Sequence, residues 1–152
     1  MATTQIKAFV SKYGAEILQA IKGKQIYFPV VVGQLCYESG YGSSHTAIAY
    51  NNFGGVRNLS GKVPLATGTS PSPEKYAIYS KAEDYFKSHI AVITLQRYVD
   101  KGIYKADTPE AQLWAIADGG YCEDPASHKV YYEWINGIMQ QVKRIYPLGK
   151  IV

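Results

Sequence analysis

The stretch from Pro29 to Ser39 constrains this chain more than any other. Val30, Val31, Val32, Leu35, Cys36 and Tyr37 leave it apolar almost all round, and a helix of that kind has to be buried on every side. Pro29 stands where a helix-starting proline belongs, and Gly40 and Gly42 end the run. The pattern predicts a buried helix over about 29–39 with other helices closing around it. One such partner precedes it, because Ile6, Val10, Tyr13, Ile17 and Ile21 recur at spacings of three or four and predict a helix over roughly 4–22, stopped by Gly23. The longest apolar run, around Phe28 to Val32, is far too short to span a bilayer, so no membrane partner is expected.

Downstream, Ser44 can cap a short helix reaching Tyr50. From Asn51 to Tyr79 the texture changes to Gly, Pro, Ser and Thr, with strands expected at 63–66 and 76–79 and a hairpin turn at Asn58 to Gly61. Ser80 to Glu83 reads as a capping box, opening a helix that carries Phe86, Ile90 and Ile93 to near Val99. Thr108, Pro109 and Glu110 start another helix, ended by Gly119 and Gly120. Asp124 and Pro125 start the last, with Val130, Trp134, Ile138, Val142 and Ile145 on one stripe and Pro147 at its end. The expected fold class is α+β, mostly α: one domain over residues 1–152, interrupted by a β-lobe at about 53–79. A cleft between the two parts is the natural ligand site. At 152 residues, 47% hydrophobic and 18% charged, the chain is neither disordered nor long enough for a second ordinary domain.

Glu38 stands out chemically. It lies near the C-terminal end of the apolar helix, where low dielectric and the negative end of the helix dipole both disfavour an ionised carboxylate. A glutamate protonated near neutral pH is what a general acid for glycosidic cleavage must be. The competing reading is a carboxylate paired with Arg57 or Lys62, or simply exposed. Other reactive groups offer less. Cys36 and Cys122 have no zinc-ligand spacing, so neither metal nor cofactor is expected. Cys36 reads as a small buried hydrophobe, and Cys122 as the thiol to watch. His89 is in phase with Phe86 and Ile93 and reads as a core or boundary residue; His45 and His128 read as solvated, and Trp114 and Trp134 as core. The net charge of +4 is spread without a basic run, which gives nucleic-acid recognition little support. The N-terminus shows no basic region followed by an apolar one, so no secretory signal is visible.

Four ordered segments carry a resemblance. Glu38-Ser-Gly-Tyr-Gly42 followed by Ala49-Tyr-Asn-Asn-Phe-Gly-Gly-Val-Arg57 resembles the two-part signature of peptidoglycan-cleaving glucosaminidases, glycoside hydrolase family 73. Tyr76 to Ser80 is similar to the family's "FRxYxS" segment, and Gly120 to Pro125 to its "GYATDP" segment, so the likeness runs from about Phe9 to Tyr146. It implies a lysozyme-like helical domain with a small β-lobe flanking the cleft. The implied activity is that of an endo-β-N-acetylglucosaminidase, cutting β-1,4 links next to N-acetylglucosamine in peptidoglycan glycan strands, as a monomer. Glu38 then maps onto the general acid and Tyr121 onto a tyrosine near it. Tyr41, Tyr50, Asn51, Asn52, Phe53 and Tyr79 fall where substrate would bind, the asparagine amides bracing the loop. Tyr41 replaces the family's usual Trp, and Glu123 a Thr.

The second carboxylate is open. No Asp or Glu lies between Ser39 and Pro73, so Glu74, 36 residues after Glu38, is the acid the lobe can offer. It is either the catalytic base or a solvated turn residue beside Lys75; in the latter case the substrate's N-acetyl group assists. A lytic transglycosylase using the same Glu, a catalytically silent wall-binding module and a Cys/His peptidase are the alternatives. Action on the bacterial wall without a visible signal implies release by lysis, injection or a trimmed chain. Of the 14 tyrosines, Tyr37, Tyr41, Tyr50, Tyr76, Tyr79 and Tyr121 fall in or beside these segments, whereas Tyr13 and Tyr131 read as packing.

Overall fold

The computed structural model of the protein describes residues 2–122, 124–147 and 150–151. Helix α1 (Ala2–Ile21) buries Ile6, Phe9, Ile17 and Ile21, and Gly23 at φ 74° ends the turn that follows it. A two-residue strand β1 (Ile26–Tyr27) leads into α2 (Phe28–Ser39), which Pro29 opens from its first turn. Val30, Val31, Val32, Leu35 and Cys36 are each 0% exposed, so α2 is the buried axis that the apolar run predicts. Helices α1, α6 (Pro109–Asp118) and α7 (Ser127–Ile145) all pack on it.

Gly33 explains how closely they pack. In a helix interior glycine costs about 1 kcal/mol relative to alanine. Here a Cβ would sit 3.2 Å from Ile135 Cγ2, 3.4 Å from the Ile135 carbonyl oxygen and 3.5 Å from Met139 Cβ, so the missing side chain is the space α7 occupies. This contact also corrects the expected stripe of the last helix. Helix α7 (Ser127–Ile145) buries Tyr131, Ile135, Met139 and Val142. Trp134 and Val130 are exposed. The sequence carries two adjacent stripes at helical spacing, and the groove over Gly33 selects the one offset by a residue. Trp114 is likewise half-exposed, its ring edge-on to Tyr132. The helix begins at Ser127 because Asp124 first holds a turn, its Oδ1 accepting from the Ala126 N–H at 3.1 Å.

Helix α3 (His45–Tyr50) starts as expected, with the Ser44 hydroxyl accepting from the Ala47 N–H. In the lobe, β2 (Ala66–Thr69) pairs antiparallel with β3 (Ala77–Tyr79). The first strand is displaced by three residues from its expected place, since Leu65 at φ 67° turns the chain. The Asn58–Gly61 turn forms, with the Gly61 N–H on the Asn58 carbonyl, but β2 and β3 are joined by residues 70–76 instead. Helix α4 (Ala82–Ile93) takes Lys81 as its N-cap, which moves Glu83 off the capping-box position; no side chain caps it, and Glu83 pairs with Lys81 and Lys87. It also stops earlier than expected. The Thr94 hydroxyl donates back to the Ile90 carbonyl at 2.8 Å, and a separate helix α5 (Gln96–Asp100) follows.

Helix α6 (Pro109–Asp118) is capped by the Thr108 hydroxyl and ends at Gly119. Its buried Gln112 accepts from the Tyr27 N–H and donates to the carbonyls of Gln25 and Ile103, which ties the segment around β1 and the loop after α5 to one amide. Strand β4 (Lys150–Ile151) pairs with β1. The result is mostly helical with a small antiparallel lobe, the expected α+β class. None of the described helices is long and apolar enough to cross a membrane.

A Gly33→Val substitution tests the central packing. Overfilling a close-packed interface costs roughly 1–3 kcal/mol, and urea unfolding monitored by circular dichroism is expected to show a loss of that order. An unchanged midpoint would mean that α7 does not rest on Gly33.

Candidate active site

Glu38 lies at the last turn of α2, and its position is fixed from below. The Ser39 hydroxyl donates to the Leu35 carbonyl at 2.6 Å and accepts from the Gly42 N–H at 2.8 Å, while Gly40 at φ 55° supplies the left-handed cap. Above it, the Tyr121 hydroxyl reaches both carboxyl oxygens, at 3.1 and 3.2 Å. Tyr121 is brought there by the turn through Gly119 and Gly120, the latter at φ 90°.

The surroundings of Glu38 are aromatic and uncharged. Its field bears on the phenols of Tyr121, Tyr85 and Tyr131, whose ionisation is pushed far up by burial first and by Glu38 next. Gly54 gives access: a Cβ there would stand 3.7 Å from Glu38 Oε1 and collide with the Tyr85 hydroxyl. None of the ion pairs among the described residues includes Glu38, so the Arg57 or Lys62 pairing is not formed. Burial pushes the Glu38 carboxyl up to about 8, against the Tyr121 hydrogen bond, which lowers it. The group is thus held as an acid near neutral pH, and its position in the fold gives the reason.

Behind the tyrosines lies a buried polar relay. Gln34, the one amide in the apolar run, donates from Nε2 to the Tyr131 hydroxyl at 3.0 Å and turns its Oε1 to His89 Nε2 at 2.9 Å. The Tyr131 ring lies 5.3 Å from that of Tyr121, and His89 meets Tyr121 edge-on at 6.0 Å. His89 is buried, in keeping with its helical phase, and burial holds its pKa down at about 4.

Two hollows flank this group. One, of about 440 Å³, is lined by Glu38, Tyr37, Tyr121, Cys122, Val130 and Trp134. The other, of about 380 Å³, lies between Val56, Val63 and Pro64 of the lobe and Tyr85, His89 and Val92 of α4, with Tyr121 as a wall of both. The exposed Trp134 ring lies 5.5 Å from Tyr37 at the edge of the first.

The other expected site residues are placed differently. Glu74 lines a separate hollow with Ser44, His45, Tyr50 and Tyr76, and among the described residues no second carboxylate lines either hollow beside Glu38. Asn51 donates to the Tyr79 carbonyl at 3.0 Å. Asn52 is buried, donating to the carbonyls of Val56 and Ala77 and accepting from the Val56 N–H, so both amides brace the lobe. Phe53 is buried among Phe9, Tyr13, Tyr85 and Phe86, and Tyr79 is buried edge-on to Tyr85. Tyr41, at φ 58°, packs half-buried against the core and lines neither hollow beside Glu38. Glu123 lies outside the described residues.

The two thiols are free, and burial raises both, Cys36 to about 12 and Cys122 with the Glu38 charge adding to it. Protonated thiols are poor nucleophiles. His128 Nε2 donates to the Cys122 carbonyl oxygen. Among the described residues no group of three or more His, Cys, Asp and Glu side chains gathers to hold a metal.

Tyr85, Gln34 and Trp134 belong to this site although the sequence motifs do not single them out, and Tyr131 reads from sequence as packing alone. The one signal is Gln34, a polar residue within an otherwise apolar run.

Solved structures of glycoside hydrolase domains share this fold. The glycoside hydrolase domain of FlgJ from Salmonella typhimurium matches with TM-score 0.72 and 22% identity, over 93% of this chain and 91% of that one. The catalytic domain of the autolysin Auto from Listeria monocytogenes matches with TM-score 0.65 and 18% identity, over 91% and 88%. A peptidoglycan hydrolase mutant from Sphingomonas sp. A1 matches with TM-score 0.56 and 23% identity, over 90% and 98%. The architecture is therefore the lysozyme-like one of glycoside hydrolase domains. The sequence model of the glucosaminidase family, described as mannosyl-glycoprotein endo-beta-N-acetylglucosaminidase, matches residues 14–144, and the chain belongs to that family. A search among curated proteins gives no match.

The raised Glu38 pKa has a consequence for stability. Between its ordinary value of 4.5 and about 8, the unfolded chain releases this proton and the folded one retains it, so stability falls as pH rises through that window. Glu38→Gln cannot ionise. Its unfolding free energy is expected to equal that of the parent near pH 4.5 and to exceed it at pH 8 by on the order of 3–5 kcal/mol, at about 1.4 kcal/mol per pH unit. Comparing the two proteins at each pH cancels the His89 contribution, which runs the other way. A gain independent of pH in urea titrations would remove the buried-acid assignment.

Proposed function

We propose that this chain is a peptidoglycan hydrolase that cleaves the β-1,4 link next to N-acetylglucosamine, with Glu38 as general acid. One observation carries the reading: a carboxyl pushed up to about 8 and bridged by the Tyr121 hydroxyl opens into a hollow rimmed by exposed aromatic rings. Membership of the glucosaminidase family supports the bond type. The peptidoglycan hydrolase and autolysin among the structural relatives support the polymer. The whole chain acts as one domain, as a monomer, on the bacterial cell wall.

In this reading Glu38 donates its proton to the glycosidic oxygen as the bond to the anomeric carbon breaks. The second role falls to the substrate. The carbonyl oxygen of its N-acetyl group attacks the anomeric carbon and forms an oxazolinium ion that keeps the amide proton; water, giving a proton to the now ionised Glu38, adds to the anomeric carbon and reopens the ring to the acetamide. The place of Glu74, which lines a different hollow, supports that assignment. Tyr121 stabilises the carboxylate between the two steps, and Tyr85 crowds the same position from the side of Gly54. Sugar rings stack on Trp134 and Tyr37 at the rim.

Glu38→Gln is expected to lower release of reducing ends from purified sacculi by at least about a thousandfold with the fold intact. Glu74→Gln should stay within about tenfold of the parent; a loss matching that of Glu38→Gln would make Glu74 the base. Mass spectrometry of the digest should show reducing N-acetylglucosamine ends, and anhydro-muramyl ends would instead identify a lytic transglycosylase. Binding to sacculi without release of ends would identify a silent wall-binding module. Trp134→Ala should raise KM several-fold and leave kcat near that of the parent, whereas an unchanged KM would take Trp134 out of the glycan path.

A further inference from the structure

Among the described residues the Tyr85 hydroxyl has no hydrogen-bond partner. Its residue is 2% exposed, the ring stacked on His89 at 6.2 Å and edge-on to Tyr79 at 5.3 Å, so packing fixes where the oxygen points. The Tyr79 hydroxyl is the only side-chain oxygen among the described residues that is sealed off without a partner. The Tyr85 oxygen is therefore open to the hollow between the lobe and α4, which its side chain lines. Gly54 locates it against the acid. One point, the place of the Cβ that Gly54 lacks, collides with the Tyr85 oxygen and stands 3.7 Å from Glu38 Oε1. The two residues form no direct hydrogen bond, and a single oxygen atom between them reaches both within ~3.0 Å. Tyr121 does not compete for that place, because its hydroxyl is held by the two carboxyl oxygens. Burial first, and the Glu38 charge next, push the Tyr85 phenol well above its ordinary 10, so it keeps a proton to donate.

We propose that Tyr85 is a second catalytic residue, its hydroxyl holding the glycosidic oxygen from the side opposite Glu38. The assignment rests on the hydrolase reading for its substrate. The glycosidic oxygen has two lone pairs. One takes the Glu38 proton, and the other accepts a hydrogen bond from Tyr85, which keeps its own proton throughout. As the bond to the anomeric carbon breaks, its electron pair passes to this oxygen, and a fixed donor acts most strongly where charge develops. The leaving sugar departs as an alcohol and water takes its place. That water gives one proton to the Glu38 carboxylate and bonds through its oxygen to the anomeric carbon. Its other hydrogen points at the Tyr85 oxygen and stays on the product hydroxyl. Gly54, by lacking a Cβ, keeps the gap between the two residues open.

The test is Tyr85→Phe in the full chain, which removes the oxygen and keeps the ring. Because the lost hydroxyl has no partner, the urea midpoint should not fall. Parent and variant are compared on purified sacculi, whose leaving sugar needs a proton. The second substrate is the 2,4-dinitrophenyl β-glycoside of the muramyl–glucosaminyl disaccharide, whose leaving group needs none. On sacculi the maximal release of reducing ends should drop about ten- to a hundredfold, with the half-saturating concentration within about twofold. On the dinitrophenyl glycoside kcat/KM, which reports bond cleavage alone, should change by less than about threefold. The basic limb of the pH profile on sacculi, set by Glu38 at about 8, should keep its place, which a disturbed carboxyl would not allow. An equal loss on both substrates, a displaced limb, or a rate on sacculi matching the parent would each overturn the assignment. The last of these leaves the hydrolase reading intact, whereas a parent that cleaves neither substrate defeats both.

Discussion

The cost of removing a carboxyl from water organises this molecule. α2 is buried from Phe28 to Cys36 and opens only at its last turn, so a side chain standing there borders the low dielectric of the core, and Glu38 stands there. With no ion-pair partner among the described residues, the carboxyl keeps its proton into the neutral range and is received by the Tyr121 phenol, which bonds to either form. The features that bury α2 are thus also the ones that tune the acid. Gly33 lets α7 approach, α7 brings Tyr131, and Tyr131 supports Tyr121. A substitution deep in the helix interface, far from solvent, therefore acts on the chemistry as well as on stability.

Much of this was legible in the sequence wherever the signal was local. The proline at the start of α2, the glycine at its end, and the hydroxyl caps at Ser44 and Thr108 concern neighbours a few residues apart, and they are found as expected. What failed depended on distant partners. Val130-Trp134-Ile138 and Tyr131-Ile135-Met139 are equally good stripes, and only the groove over Gly33 distinguishes them. The choice matters, because the rejected stripe is what brings Trp134 to the rim of the acid's hollow. In the same way, Ser80 to Glu83 satisfied a capping pattern that the strand before it, by taking up Tyr79, left one residue out of register.

The lobe shows a further limit. Its strands are short, and amides hold much of it: Asn52 gathers both sides of the loop, and Asn58 accepts from the Val63 N–H and donates to the Gly68 carbonyl. Periodicity says nothing about such bonds, so the position of an acid within the lobe was not readable from spacing. Glu74 falls 36 residues after Glu38 and still lines another hollow. The tyrosines divide by the same logic. Tyr121 was found from its segment, but Tyr85 and Tyr131 come near the acid only because α4 and α7, well separated in the chain, converge on it.

Tyr121 separates two hollows and is a wall of both, which gives the groove the profile of a saddle with the Tyr121 ring at its crest and Glu38 against it on one flank. A chain laid across a saddle is straight on either flank and bent where it crosses. Strain in a polymer occupying both flanks would gather at the link above the carboxyl, while both ends of the polymer run on outward. The cut site would then be chosen by topography, at any link that can be draped over the ring, and stiff or tightly bundled strands would resist for mechanical reasons.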